Sequence, residues 1–229
     1  MKTYLTSLWQ LLFPNLCVAC GNPLVTGEQT VCLQCLYAIA RTHYATKADN
    51  PIEQLFWGKV EIEKATAWGH FSKGGTLQAL LHALKYKNKP QVGYVLGEQF
   101  AVENATWLQN IDVLLPIPLH QKRLRSRGYN QAACIAQGIA KQTNIPLSEE
   151  VLIRNVSTQT QTQKRVFERW QNTQGVFSLQ NTHGLQGKHV LLIDDVITTG
   201  ATLASAAITL KQNIPNITIS IAAIAVAST

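Results

Sequence analysis

No run of 18 or more apolar residues occurs in these 229 residues, so a hydrophobic helix long enough to span a bilayer is not expected. Internal repeats and low-complexity tracts are also missing, which sets aside a solenoid and a long disordered region. Charge is sparse, at 14% against 46% hydrophobic residues, a balance that fits an ordinary folded domain. A chain of this length buries one sizeable core with room for a small appended module. Acidic residues are the scarcer sign: 13 Asp and Glu stand against 20 Lys and Arg, a formal charge of +7. That excess points to anionic partners, either phosphorylated metabolites or nucleic acid, or it serves solubility alone.

The first residues imitate a secretion signal only in part. Leu5, Leu8, Trp9, Leu11, Leu12 and Phe13 are interrupted by Thr6, Ser7 and Gln10, and Pro14-Asn15 leads into cysteines, not a small-residue cleavage site. An amphipathic first helix and a cytoplasmic location are expected. In that reducing compartment cysteines serve as metal ligands or buried thiols.

Cys17-Val-Ala-Cys20 and Cys32-Leu-Gln-Cys35 are two CxxC pairs separated by a segment holding Gly21, Pro23 and Gly27. Each pair can turn two thiolates onto one cation, and two pairs supply the four tetrahedral sulfurs of a structural Zn²⁺ site. Redox-active pairs or unrelated buried cysteines are the alternatives. Four sulfurs fill the coordination sphere, so such a site contributes folding energy and no chemistry. Cys134 falls within a helical pattern (Ala132, Ala133, Ile135, Ala136, Ile139, Ala140) and reads as a core thiol.

Residues 42–60 lack periodicity, contain Asp49-Asn50-Pro51 and read as a connection between a module at 1–45 and a domain at 60–229. Beyond it, strands and helices alternate. Strands are expected over Ala67–Phe71, Val113–Pro118, Val190–Asp194 and Ile217–Val226. Helices are expected over Asn130–Thr143 and Thr202–Gln212, and Leu77, Leu80, Leu81 and Leu84 mark another helix face. Nearly continuous apolar strands alternating with helices imply an α/β fold, a mainly parallel sheet with helices on both faces. Ligands of such sheets bind beyond the carboxyl ends of the strands.

The stretch Val190-Leu-Leu-Ile-Asp194-Asp195-Val-Ile-Thr198-Thr199-Gly200-Ala201-Thr202 carries the most information. A buried strand delivers two carboxylates to the sheet edge. Hydroxyls, a glycine and the first amides of the following helix then make an anion cradle. Adjacent acids would repel a phosphate unless ribose hydroxyls, Mg²⁺ or a cationic sugar engaged them. The bland alternative is a strand ending in a helix-capping turn. A second segment, Leu115-Pro-Ile-Pro118-Leu-His120-Gln-Lys122-Arg123-Leu-Arg125-Ser-Arg127-Gly128-Tyr129-Asn130, places four cations within six residues after a strand, otherwise a solvated basic loop.

The first stretch resembles the phosphoribosyl-diphosphate signature of type I phosphoribosyltransferases. That resemblance implies that Asp194 and Asp195 hold ribose hydroxyls, and that Thr198, Thr199, Gly200, Ala201 and Thr202 hold the 5-phosphate. The second, with the four-cysteine knuckle before it, resembles the ComF competence proteins and their GntX-like relatives. Tyr129 stands where phenylalanine is common. The resemblance spans nearly the whole chain and implies a type I phosphoribosyltransferase fold preceded by a zinc module. It gives Arg123, Arg125 and Arg127 the diphosphate, with bidentate donors suited to it. Phosphoribosyl diphosphate would bind with Mg²⁺, and pentosyl transfer is the implied chemistry, with no residue marking the acceptor.

A polar, basic segment with Arg154, Lys164, Arg165 and Arg169 is expected to form a hood over substrate, or else a plain surface loop. Leu84-Lys85-Tyr86-Lys87 matches a further family feature, its lysines at the cleft entrance. ComF-type proteins are associated with natural transformation and the uptake of single-stranded DNA, in some bacteria with a helicase. The resemblance therefore also allows a non-catalytic sensor or adaptor binding single-stranded DNA or a helicase partner. Against dedicated DNA binding, no basic segment is interleaved with several aromatics that could stack bases.

Overall fold

The computed structural model describes residues 14–155 and 175–227. Its elements, in chain order, are α1 (Leu33–Tyr37), a 3₁₀ turn (Tyr44–Thr46), α2 (Pro51–Gln54), β1 (Lys64–Phe71), α3 (Thr76–Tyr86) and α4 (Pro90–Glu103). Then follow β2 (Val113–Pro116), α5 (Gln121–Arg127), α6 (Gln131–Thr143), β3 (Leu152–Arg154), β4 (Phe177–Leu179), β5 (His189–Ile197), α7 (Ala201–Asn213) and β6 (Thr218–Ala227). No helix among the described residues is long and apolar enough to cross a membrane.

The main sheet runs β1-β6-β5-β2 and every pairing in it is parallel. The central strands are continuous apolar runs because both of their faces are covered. Alternate residues of β5 feed two cores. Leu191 and Ile193 join the core that contains Leu77, Leu80 and Leu84 of α3, Phe100 of α4 and Ile135 of α6. Val190 and Leu192 join the one that contains Ile52, Phe56, Leu203 and Leu210. Helices α4 and α6 touch through glycines: a Cβ at Gly97 would lie 2.0 Å from the Ile135 carbonyl oxygen, and one at Gly138 would lie 2.2 Å from that of Tyr94.

Residues 42–60 are more than a connection. Asn50 caps α2, accepting from the amides of Ile52 and Glu53, and Pro51 opens the helix. Ile52 and Phe56 are buried at 1% and 0% exposure; a buried Phe contributes about 1.5–3 kcal/mol. The cysteine segment also packs onto the sheet domain, since Val31, Leu36 and Ile39 share a core with Trp68 and Leu77. Its exit runs along the outer edge of β1, where Thr42 N donates to Trp68 O at 3.0 Å and His70 N to Ala40 O at 2.9 Å. Strands β3 and β4 pair as an antiparallel hairpin whose Val151, Leu152 and Phe177 belong to the α7 side.

Candidate functional site

The alternation of β5 continues into its two acids and sends them to opposite faces. Asp195, 8% exposed, follows Ile193 toward α3, where Lys85 Nζ lies 3.0 Å from its Oδ1. Asp194 follows Leu192 toward the β3–β4 hairpin, where the charge of Arg154 acts on it. Each carboxylate thus has a cation from a different layer of the fold. Asp194 Oδ1 also accepts from the Asp195 amide at 2.8 Å. Burial, and then the neighbouring Asp195 charge, push the Asp194 carboxyl up to about 7, against the pull of that amide, Lys85 and Arg154. Burial also lowers the Arg154 guanidinium, with Arg123 adding to the effect and Asp194 opposing it.

The loop after β5 turns at Gly200, whose φ of 72° is left-handed and which caps α7. A Cβ there would press on the Leu55 Cβ and the Phe56 ring, each 3.3 Å away. The turn that follows α2 therefore forms the floor of this loop. Among the described residues, no hydrogen bond within the chain uses the backbone amides of residues 198–202. The first chain bond is Ala204 N to Gly200 O at 2.8 Å. Thr198 and Thr199 are exposed, so amides and hydroxyls face solvent beside the acid pair.

The arginine segment forms a short helix, α5. His120 Nδ1 caps α5 by accepting from Lys122 N at 3.2 Å, and Gly128 ends it at φ 80°. Strand β2 brings this helix to the same edge, with Ile117 N donating to Ile193 O at 2.8 Å, one residue before Asp194. Helical spacing puts Arg123 and Arg127 on one face and turns Arg125 away from it. Arg123 is close enough to act on Arg154, while Arg127 lies 5.4 Å from the Tyr86 ring centroid and donates to Gln131. Lys164 and Arg165 lie outside the described residues.

The last turn of α3 ties these pieces together. Leu84 O accepts from the Tyr129 hydroxyl at 2.5 Å, Lys85 pairs with Asp195, and Tyr86 meets Arg127. Lys85 is the residue whose role the sequence understated. Its place on a helix rim was legible, but its contact with Asp195 depends on how α3 crosses the sheet edge.

Far along the chain, the four cysteine sulfurs all lie within 4.8 Å of one another, and Cys20 Sγ is 3.8 Å from Cys32 Sγ. A tetrahedral cation with metal–sulfur bonds of about 2.3 Å holds its sulfurs about 3.8 Å apart, so the cluster fits a metal ion. The Cys32 amide donates to Cys17 Sγ at 3.3 Å and the Cys35 amide to Cys32 Sγ at 3.4 Å. Burial raises the Cys17 thiol, but amides of Cys32, Cys20 and Ala19 outweigh it and leave it at about 6. Cys134 is buried away from this cluster.

The phosphoribosyl transferase domain family matches residues 129–229, which contain the acid pair and its loop. The DNA utilization protein YhgH of Escherichia coli O157:H7 is 28% identical over 221 residues, covering 89% of this chain and 93% of that protein. Competence protein F of Haemophilus influenzae is 28% identical over 205 residues, covering 82% of this chain and 86% of its own length. Competence protein ComFC of Bacillus subtilis is 38% identical over 95 residues, 42% of this chain and 36% of that protein. The chain carries a phosphoribosyl transferase domain over residues 129–229 and is similar over most of its length to DNA utilization and competence proteins. The fold is that of a type I phosphoribosyltransferase, and a four-cysteine cluster precedes it. The domain match begins at Tyr129, so Lys85, α5 and the cysteines lie outside it.

Proposed function

We propose that this protein binds phosphoribosyl diphosphate together with Mg²⁺ and acts in DNA uptake during natural transformation. One observation carries the reading. Two adjacent carboxylates near the end of a strand stand two residues before five backbone amides, at residues 198–202, that no group among the described residues engages. Carboxylates accept from sugar hydroxyls and amides donate to phosphate, so the edge matches a ligand with both groups about one sugar apart. The names of the YhgH and competence relatives support the biological setting.

In this reading Asp194 and Asp195 grip the ribose hydroxyls and fix the ring. The amides and hydroxyls of Thr198 to Thr202 hold the 5-phosphate. Arg123 and Arg127, on the helix face toward the edge, take the diphosphate, with Arg125 contributing only to the surrounding positive field. Displacement of diphosphate at the ribose C1 carbon needs positioning and charge stabilisation, not a nucleophilic side chain, and no such side chain is required here. Burial first, and then the adjacent Asp195 charge, hold Asp194 above its ordinary value, and a divalent cation bound with the ligand would relieve the repulsion within the pair. Mg²⁺ bound with the ligand beside Asp194 and Asp195 would neutralise charge on the diphosphate. Zn²⁺ held by Cys17, Cys20, Cys32 and Cys35 would supply folding energy. Lys164 and Arg165 remain candidates for a hood over this edge.

Calorimetry with phosphoribosyl diphosphate and Mg²⁺ tests the assignment. Binding by the wild-type protein and its loss in Asp194→Asn/Asp195→Asn are expected; an unchanged affinity in the double variant discards the ribose role. A second reading, a non-catalytic adaptor for single-stranded DNA or a helicase, draws on the exposed Lys122 and Arg125 of α5. It requires DNA affinity that falls steeply with salt; a flat response would remove it.

A further inference from the structure

Lys85 joins the acid pair by a direct ion pair to Asp195, and it comes from outside the matched domain. It sits half-buried in the last turn of α3, whose flanking residues hold the arginine segment through Tyr129 and Arg127. A ribose hydroxyl reaching Asp195 meets a carboxylate whose Oδ1 already pairs with Lys85 at 3.0 Å, so the ammonium and the sugar compete for the same group. The same ligand brings several negative charges into an edge that already contains two carboxylates. An ammonium on a four-carbon stem has three donors and can turn between neighbouring anions without moving its backbone.

We propose that Lys85 serves two anions in turn: it pairs with Asp195 in the ligand-free protein, and moves its ammonium to a diphosphate oxygen when a ribose hydroxyl takes Asp195. The assignment rests on the phosphoribosyl-diphosphate reading of the edge and adds a specificity residue to it. Lys85 would then distinguish a sugar carrying a diphosphate at C1 from one without it. The last turn of α3 would register that difference, because Tyr86 stands over Arg127 at 5.4 Å, 65% exposed and open to movement. A purely structural lysine, holding Asp195 in place, would support both sugars equally.

The test compares two ligands, phosphoribosyl diphosphate with Mg²⁺ and ribose 5-phosphate, by calorimetry on the full chain. Lys85→Met should weaken the diphosphate ligand at least about tenfold, as expected for a lost hydrogen bond to a charged group, and ribose 5-phosphate less than about threefold. Lys85→Arg should recover most of the loss, since charge is restored. Lys85→Gln provides a second neutral variant should the methionine form prove unstable on heating. Equal losses for the two ligands, or no loss, overturn the exchange. A wild-type protein that binds neither ligand would overturn the sugar-phosphate reading of the edge and the lysine assignment with it.

Discussion

The cysteine knuckle and the acidic edge both crowd like-charged groups together, but they are assembled in opposite ways. The knuckle is local: four sulfurs within 4.8 Å come from nineteen consecutive residues, 17–35, and two turns suffice to gather them. The edge is assembled from α3, β2 with α5, the β3–β4 hairpin and β5, which are distant in sequence and meet only because the sheet order is β1-β6-β5-β2. Repulsion is handled differently too. In the knuckle amides and a cation would absorb the charge of the thiolates, whereas at the edge each carboxylate is met by a cation from its own side of the sheet. A local site depends on its ligand to exist; an assembled site is held by the fold whether or not a ligand is bound.

Removing the metal is the harshest way to break that contrast. Purified protein should carry one zinc per chain, and Cys32→Ser should lose it, because Cys32 lies 3.8 Å from Cys20 and accepts from the Cys35 amide. The cost should be at least about 3 kcal/mol, since the knuckle shares a core with Trp68 and Leu77. Metal content and thermal unfolding are the measurements. A variant with normal metal and an unchanged melting temperature would refute the site. The edge should respond in the other direction: loss of its ligand should leave the fold intact.

The acid pair sharpens the contrast through pH. An ordinary Asp carboxyl titrates near 3.8, while Asp194 is held at about 7 in the folded chain. Between these values the native state keeps a proton that the unfolded state has lost, so stability falls as pH rises through this window. Asparagine mimics the protonated form. Asp194→Asn should therefore raise the melting temperature by about 2–4 °C at pH values above that window, and change it little below the lower value. The same variant should lose sugar-phosphate affinity, a trade of function against stability. Identical melting temperatures at high and low pH would show that Asp194 carries no such penalty.

How far the sequence could be read follows the same division between local and assembled features. The CxxC pairs, β5 and the turn at Gly200 were legible because each signal lies within a few residues. Helix α4 was not, because Gly93 and Gly97 blur its pattern; they serve close contact with α6, which only the fold reveals. Asn50-Pro51 interrupts the pattern in sequence although the pair is also a helix-start signal, and the buried Phe56 behind it lies under the loop that turns at Gly200. The four cations after β2 announced an anion site but not their helical form, which decides which of them share a face. Neither Lys85 nor Arg154 could be matched to its carboxylate, since that requires knowing which side of the sheet each acid faces.

The smallest expected effect separates the arginines of α5 by that helical geometry. Arg123 acts on Arg154 and shares its helix face with Arg127, whereas helical spacing turns Arg125 away from that face. Arg123→Ala should weaken phosphoribosyl-diphosphate binding about tenfold, as for a lost charge-assisted contact, while Arg125→Ala should weaken it less than about threefold. Any Arg125 effect should vanish at high salt, because a charge acting only through the surrounding field is screened within about 8 Å at physiological ionic strength. Equal losses at high salt would mean that α5 unwinds on binding and presents all three arginines to the ligand. The edge would then be partly made by its ligand, like the knuckle, and not wholly by the fold.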